Sequence, residues 1–323
     1  MRVFLTGGTG FLGSSVARLL AARGDRVRVL VRDPARAQGL RALGCELVVG
    51  DLSDEAALVT ALRGVTALVH CAERSEVGVD DEGRGELVAT NVCGTERMLG
   101  AALTAGVHKA VHVSSVEVFG DTGGQVVDER WTRDPALAWR SAYEETKAVA
   151  HGRALDLSAR GLPLAIVQPG HLYGPGAAHG RAGQLRLDGW SPTLAFAERG
   201  VVPVHRDDAA DGVVAALDKG VPGESYVLAG QPVRLRELLA LVAQRSGRRP
   251  PRALPTVLLR ALSPAGRFVG PALGLAPNLS ELVRASDGVT SWASSSRASR
   301  ELGWDARPLP EGLESLLGGE RST

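Results

Sequence analysis

Six short β-rich runs, at residues 2–6, 27–32, 46–50, 65–71, 109–115 and 163–168, alternate with segments of helical character at 11–23, 53–63, 85–105 and 141–160. This alternation constrains the fold more than any other feature, because strands joined by helical crossovers pair in parallel through right-handed connections, with helices covering both faces of the sheet. Local chemistry agrees with the period. Asp51-Leu52-Ser53-Asp54 sets a capping residue ahead of Glu55, and Gly24 and Gly64 follow the ends of their helices. Beyond residue 170 the pattern loosens into Pro169-Gly170, Gly174-Pro175-Gly176 and Pro250-Pro251, with two further helical pieces at 208–219 and 235–246. The expected architecture is a doubly wound α/β domain over 1–170 plus about 201–230. A small discontinuous C-terminal lobe, about 171–200 and 231–323, is expected to cover the carboxyl edge of the sheet, where ligands of such folds bind.

Between the first run and the first helix lies Thr6-Gly7-Gly8-Thr9-Gly10-Phe11-Leu12-Gly13, with glycines at 7, 10 and 13. Glycine permits a tight turn and a close approach of backbone to a pyrophosphate, and the helix N-terminus offers unbonded N–H groups to the anion. At the start of a βαβ unit this pattern predicts a Rossmann dinucleotide site made by Gly7, Thr9, Gly10, Phe11, Leu12 and Gly13. The second strand runs out in Val31-Arg32-Asp33-Pro34, with a guanidinium where NAD-specific units place an acid, and a guanidinium suits the 2′-phosphate of NADPH. NADPH is therefore expected over NADH; the other reading has Arg32 as a solvated loop charge and Asp33 on the ribose diol. Asp51 and Leu52, after the third strand, are placed to border adenine, and Cys71 and Ala72, after the fourth, to run beneath the nicotinamide half.

Several function classes drop out. With 37 basic against 36 acidic side chains and 4% aromatics, the chain lacks both the cationic footprint and the stacking surfaces of nucleic-acid binders. Cys45, Cys71 and Cys93 are odd in number and widely spaced, which reads as buried thiols of a reducing, cytoplasmic compartment. No secretory leader and no spanning run of about twenty uncharged apolar residues is apparent. His108 and His112 are four apart with no third ligand nearby, so no metal is expected.

Tyr143 and Lys147 are four apart at the start of a helical segment and so share a face. An ammonium beside a phenol favours phenolate and is expected to bring proton transfer nearer neutral pH. Ser115, 28 residues earlier, sits where the fifth strand reaches the carboxyl edge and is placed to orient a substrate oxygen.

Together these residues resemble the extended short-chain dehydrogenase/reductase family, also called the NAD-dependent epimerase/dehydratase family. The likeness runs through Thr6 to Gly13, Gly50-Asp51-Leu52, Asn91-Val92-x-Gly94-Thr95, Val113 to Gly120, Tyr143-x-x-x-Lys147, Gly174-Pro175, Asp207-Asp208 and Glu301-Leu302-Gly303-Trp304. It implies Ser115, Tyr143 and Lys147 as a catalytic triad, with Asn91 as the family's structural and proton-relay position. It also implies Lys147, Pro169 and His171 as cofactor contacts, and Glu117, His171 and Tyr173 toward the substrate. The Val27 to Pro34 stretch is similar to the NADPH-using dihydroflavonol 4-reductase branch, and Ser114 to Val118 to the 3β-hydroxysteroid dehydrogenase branch. Nucleotide-sugar epimerases usually carry Arg and Asn where this chain has Gln168 and His171. Asp207 or Asp208 is expected to cap the following helix.

These features predict an NAD(P)H-dependent enzyme interconverting a carbonyl and an alcohol on a hydrophobic small molecule. Two alternatives stand beside it: a nucleotide-sugar epimerase or dehydratase with the same triad, and a non-catalytic NADPH-binding sensor. The family likeness further implies a homodimer through the helices after the fourth and fifth strands. The apolar stretch 253–279, punctuated by Arg260 and Arg267, reads either as lobe core or as a greasy substrate cover in peripheral contact with a membrane.

Overall fold

The computed structural model describes residues 1–176, 184–185, 195–196, 198–247, 249–250, 252–253, 257 and 278–318. Its centre is a seven-stranded parallel sheet. The strands are β1 (Arg2–Thr6), β2 (Arg26–Val31), β3 (Glu46–Val49), β4 (Ala67–His70), β5 (Lys109–Val113), β6 (Leu164–Pro169) and, later in the chain, β9 (Ser225–Leu228). Their order is β9-β6-β5-β4-β1-β2-β3. The direction of winding reverses between β1 and β4, which opens a crevice at their carboxyl ends.

Side chains along each strand alternate between two cores, as a pleat with period two requires. Val3 and Leu5 of β1, Ala67 and Val69 of β4, and Val111 and Val113 of β5 face one helical layer. Phe4, Leu68 and Ala110 face the other. Burial on both faces is why these strands read as continuous apolar runs rather than as alternating ones.

Helix α1 (Phe11–Ala22) lays Leu12, Val16 and Leu20 on the first layer, and Gly24, at φ +85°, ends it. A 3-10 turn at Pro34–Ala37 and the short α2 (Gln38–Ala42) follow β2, two pieces the apolar pattern did not predict. α3 (Glu55–Ala61) starts at Asp54, whose Oδ1 accepts from the Ala57 N–H at 3.0 Å, as the capping pattern predicts. The helix expected at 85–105 comes in three parts. α4 (Asp81–Leu87) begins four residues early because Asp80 caps it; a π-helical stretch follows at Val88–Cys93, and then α5 (Gly94–Thr104). α6 (Ala142–Ala159) starts at Ser141, whose hydroxyl accepts from the Glu144 N–H at 3.1 Å.

After β6 the chain forms β7 (His171–Tyr173) and β8 (Pro203–His205), which pair in parallel, and then α7 (Arg206–Lys219). The cap of α7 is His205, whose Nδ1 accepts from the Asp207 N–H at 3.2 Å; the expected cap, Asp207 or Asp208, is used elsewhere. The Asp207 carboxylate takes the Ser15 hydroxyl at 2.6 Å and so ties α7 to α1, while Asp208 is ion-paired with Arg307. α8 (Leu235–Ser246) matches its predicted bounds and packs Leu238, Leu239 and Val242 against Tyr173, Val201, Leu313 and Leu316. α9 (Leu279–Ser286), α10 (Ser296–Leu302) and α11 (Leu309–Gly318) complete the described chain. Within the stretch expected to form the lobe, Ala298, Leu302 and Trp304 pack on the core of the sheet, and the Trp304 indole donates to the Asp208 carbonyl at 2.7 Å. Nearly all of 253–279 lies outside the described residues. Among the described residues no helix is long and apolar enough to cross a membrane.

Candidate active site

The glycine turn borders the crevice at the end of β1. Gly7 has φ +72°, and a Cβ there would lie 2.6 Å from the Cys71 carbonyl carbon, so the turn presses directly on the chain leaving β4. A Cβ on Gly13 would lie 2.2 Å from the Gly7 carbonyl oxygen. Gly10 begins α1 with no side-chain cap, and Thr9 and Gly10 are exposed. An uncapped helix start behind a backbone that tolerates no side chain is the cradle a dinucleotide pyrophosphate requires, so these residues fit the cofactor.

The ends of β2 and β3 provide the adenosine side. Arg32 is exposed, and the Asp33 carboxylate caps the next turn by accepting from the Ala35 N–H at 2.9 Å. Asp51 is exposed and accepts from the Ser53 N–H at 2.8 Å, while Leu52 packs where α5 begins at Gly94. At the end of β4, the buried His70 bonds the Thr6 hydroxyl at 2.7 Å and the Thr95 hydroxyl at 3.1 Å. Burial, reinforced by the Lys147 charge, pushes its pKa down to about 3. Burial drives the Cys71 thiol up to about 12, which leaves it unreactive at neutral pH.

The structure brings Ser115, Tyr143 and Lys147 together. Ser115 leaves β5 in extended backbone, and its hydroxyl accepts from the Glu117 N–H at 3.2 Å while also stabilising the Tyr143 oxygen. Tyr143 lies in the first turn of α6, packed with Leu87, Val77 and Val79. Lys147, one turn on, donates to the Val113 carbonyl at 2.9 Å. Its second partner is one that sequence reasoning missed: Glu73 Oε2 sits 2.9 Å from Lys147 Nζ and accepts from the Tyr143 hydroxyl at 3.4 Å. The expected net acidification of the phenol beside Lys147 is therefore not what the surroundings give. Burial first, then the Glu73 and Glu117 charges, hold Tyr143 well above the ordinary phenol value.

Asn91 lies in the π-helical stretch. Its amide accepts from the Arg74 N–H at 2.8 Å and donates to the Arg74 carbonyl at 2.9 Å and the Thr146 hydroxyl at 3.2 Å. It thus clamps the loop bearing Glu73 to α6. Glu281 of α9 adds a second clamp, accepting from the Ala142 N–H at 3.1 Å and the Gly78 N–H at 3.3 Å.

The residues expected to face substrate divide. Glu117 pairs with Arg199 at 2.9 Å and with His171 Nε2 at 3.1 Å, and after the cost of its burial the Arg199 charge is the largest cause holding it far below the usual carboxylate range. His171 Nδ1 accepts from the Val202 N–H at 3.2 Å, and its Nε2 faces both the Glu117 carboxylate and the Arg199 guanidinium. Tyr173 turns away into the core formed with α8 and α11. Its ring meets His205 edge-on, and burial lifts its hydroxyl to about 12. Pro169 is buried at the end of β6, beside β9. Arg199 carried no sequence signal, because it falls in an irregular stretch. Glu73 did carry one: an acid three residues beyond the buried end of β4 stands at the rim of the crevice.

A model of the NAD dependent epimerase/dehydratase family matches residues 3–188. Sterol demethylase protein B of Methylococcus capsulatus is 33% identical over 266 residues, which cover 81% of this chain and 80% of that protein. The 4-hydroxy-2-methyl-3-oxo-4-farnesyl-3,4-dihydroquinoline-1-oxide ketoreductase of Stigmatella aurantiaca is 31% identical over 98% of this chain and 96% of its own. Among solved structures, the dTDP-glucose 4,6-dehydratase DesIV of Streptomyces venezuelae, with NAD bound, superposes with a TM-score of 0.78 at 26% identity, covering 100% of this chain and 98% of that one. The glycine cradle, the crevice at the switch point and these likenesses agree: this chain belongs to the NAD-dependent epimerase/dehydratase family of extended short-chain dehydrogenases/reductases and is an NAD(P)-dependent enzyme.

Proposed function

We propose that the protein is an NADPH-preferring reductase that converts a ketone or aldehyde on a hydrophobic small molecule to an alcohol, with Tyr143 as proton donor. The observation that carries this reading is the convergence of the Ser115 hydroxyl and the Lys147–Glu73 pair on a buried Tyr143 that keeps its proton at neutral pH. A nicotinamide bound along the glycine turn would supply hydride to the carbonyl carbon. The C=O π electrons then move to oxygen, which Ser115 orients and Tyr143 protonates, leaving a phenolate that water reprotonates. Lys147 would hold the cofactor ribose and balances the Glu73 charge, and Asn91 acts as a positioning residue through Arg74 and Thr146.

The partly buried Val77 and Val79 beside Tyr143 support a hydrophobic substrate. The ketoreductase name of the Stigmatella relative agrees with that chemistry. His171, committed to Glu117 and the Val202 N–H, has little left to offer a sugar diphosphate. The test is stoichiometry. With a lipophilic ketone, one NADPH should disappear per alcohol formed; conversion of a nucleotide sugar without net NADPH loss would replace this reading with the epimerase one.

The preference for NADPH rests on Arg32, which is exposed at the end of β2 beside an Asp33 already engaged as a cap. Arg32→Ser is expected to weaken NADPH binding by about tenfold, the worth of a charge-assisted phosphate contact, with NADH unchanged. Fluorescence titration of both cofactors reads this directly, and equal effects on the two would remove Arg32 from the site. A homodimer through α4–α5 and α6 belongs to the same reading, with Val88, Val149 and Leu155 exposed on those segments.

A further inference from the structure

We propose that Glu73 is a further acid–base residue of this site: its carboxylate keeps the proton on the Tyr143 hydroxyl and balances the Lys147 ammonium, so the site reduces carbonyls at neutral pH and oxidises alcohols only under alkaline conditions. The inference rests on the reading of Tyr143 as the proton donor. Its geometric basis is a single oxygen, Glu73 Oε2, that meets Lys147 Nζ at 2.9 Å and Tyr143 Oη at 3.4 Å. A carboxylate can only accept, so the phenol is the donor of that bond, and the bond is lost when the phenol ionises. Carbonyl reduction consumes the phenolic proton, whereas alcohol oxidation needs the phenolate to take one up.

The surrounding charges leave this role to Glu73. From the turn after β5, Glu117 also faces Tyr143, but its charge is matched by Arg199. From β4 and β5, His70 and His112 approach Lys147, and from α6 so does His151. Burial keeps all three neutral, His70 at about 3 and His151 at about 4. Cys71 stays a thiol. Arg74, the next residue after Glu73, is paired with Glu76 and Glu86. Glu73 is thus the larger of the two carboxylate charges acting on Tyr143, and the one whose oxygen also meets Lys147. Removing Glu73 leaves the ammonium unopposed beside the phenol, which then becomes more acidic. Glu73 also gives the cluster its contact with water: its side chain is 28% exposed, against 2% for Lys147. The Asn91 and Glu281 clamps on residues 74 and 78 fix the loop that carries it.

The experiment is an absorbance titration of phenolate in the free protein, with Tyr143→Phe subtracted to isolate Tyr143 from Tyr173 and Tyr226. Glu73→Gln is expected to lower the Tyr143 midpoint by on the order of one pH unit or more, as removal of an adjacent like charge does. Glu73→Asp, which keeps the charge, should stay near the parent. In the same variants, the alkaline limb of kcat/KM for carbonyl reduction should move down with the phenolate midpoint under Glu73→Gln, and the onset of alcohol oxidation should move down with it. An unchanged or higher midpoint in Glu73→Gln overturns the proposal, as does a downward shift of equal size in Glu73→Asp. The titration needs no substrate. If Tyr143→Phe keeps its turnover, the reductase reading fails, while the absorbance result still judges Glu73.

Discussion

Tyr143→Phe is expected to cost about two to four orders of magnitude in turnover, the usual worth of a positioned proton donor, while NADPH affinity changes by less than about twofold. The ring is 3% exposed and packed with Leu87, Val77 and Val79, and phenylalanine keeps every one of those contacts. What disappears is the hydroxyl, and with it the bond to Glu73 and the contact with Ser115. Lys147 retains Glu73 and the Val113 carbonyl, so no buried charge is stranded and the fold should be undisturbed. Hydride addition would then generate an alkoxide with no acid to quench it, and the penalty should appear in kcat rather than in substrate KM. Steady-state rates with a lipophilic ketone, beside fluorescence titration of NADPH, measure both quantities. A variant with turnover within tenfold of the parent would remove Tyr143 from the chemistry.

How much of this was visible in the sequence follows from the range of the forces involved. β1 and β4 to β6 could be read because each is a short apolar run, and the cradle could be read because a turn at φ +72° with no room for a Cβ demands glycine at 7 and 13. α8 matched its limits because one face packs while the other is wet, so the 3.6-residue period is clean. The division of 85–105 was hidden because a π-helical stretch leaves composition unchanged; it exists to point Asn91 at residue 74. β9 escaped notice because its four residues, Ser225-Tyr226-Val227-Leu228, give too short a run, and its place beside β6 is a tertiary fact. The least legible parts of the site were the long-range ones. Glu281 meets Gly78 across 203 residues of chain, and Arg199 meets Glu117 across 82. The Tyr143–Lys147 spacing did predict a shared face, but the net direction of the phenol's shift is set by burial and by carboxylates from other loops, Glu73 first among them.

The other large effect expected is on the cradle itself. Gly13→Ala places a methyl carbon 2.2 Å from the Gly7 carbonyl oxygen and 2.8 Å from its carbon, both backbone atoms that cannot rotate away. Relief requires either α1 or the turn to move. The turn is held by the Gly10 N–H bond to that same Gly7 oxygen at 2.9 Å and by its contact with the chain at Cys71. The helix is held by Val16, Ala17 and Leu20, all fully buried, and by the Ser15–Asp207 bond. A shift of a few tenths of an ångström therefore does not suffice. The strain should cost on the order of 3 kcal/mol, the upper range for overpacking a rigid interior, which appears as a lower Tm and about a hundredfold weaker NADPH binding. Gly39→Ala is the matched control, since nothing lies within 4 Å of its Cβ position and the helical site favours alanine. Thermal melts and NADPH titration of the two variants side by side separate a general response to added methyl groups from a response of the cradle. Parent-like NADPH affinity in a folded Gly13→Ala protein would mean that the dinucleotide does not lie along this turn, and the assignment of Gly7, Gly10 and Gly13 would fall with it.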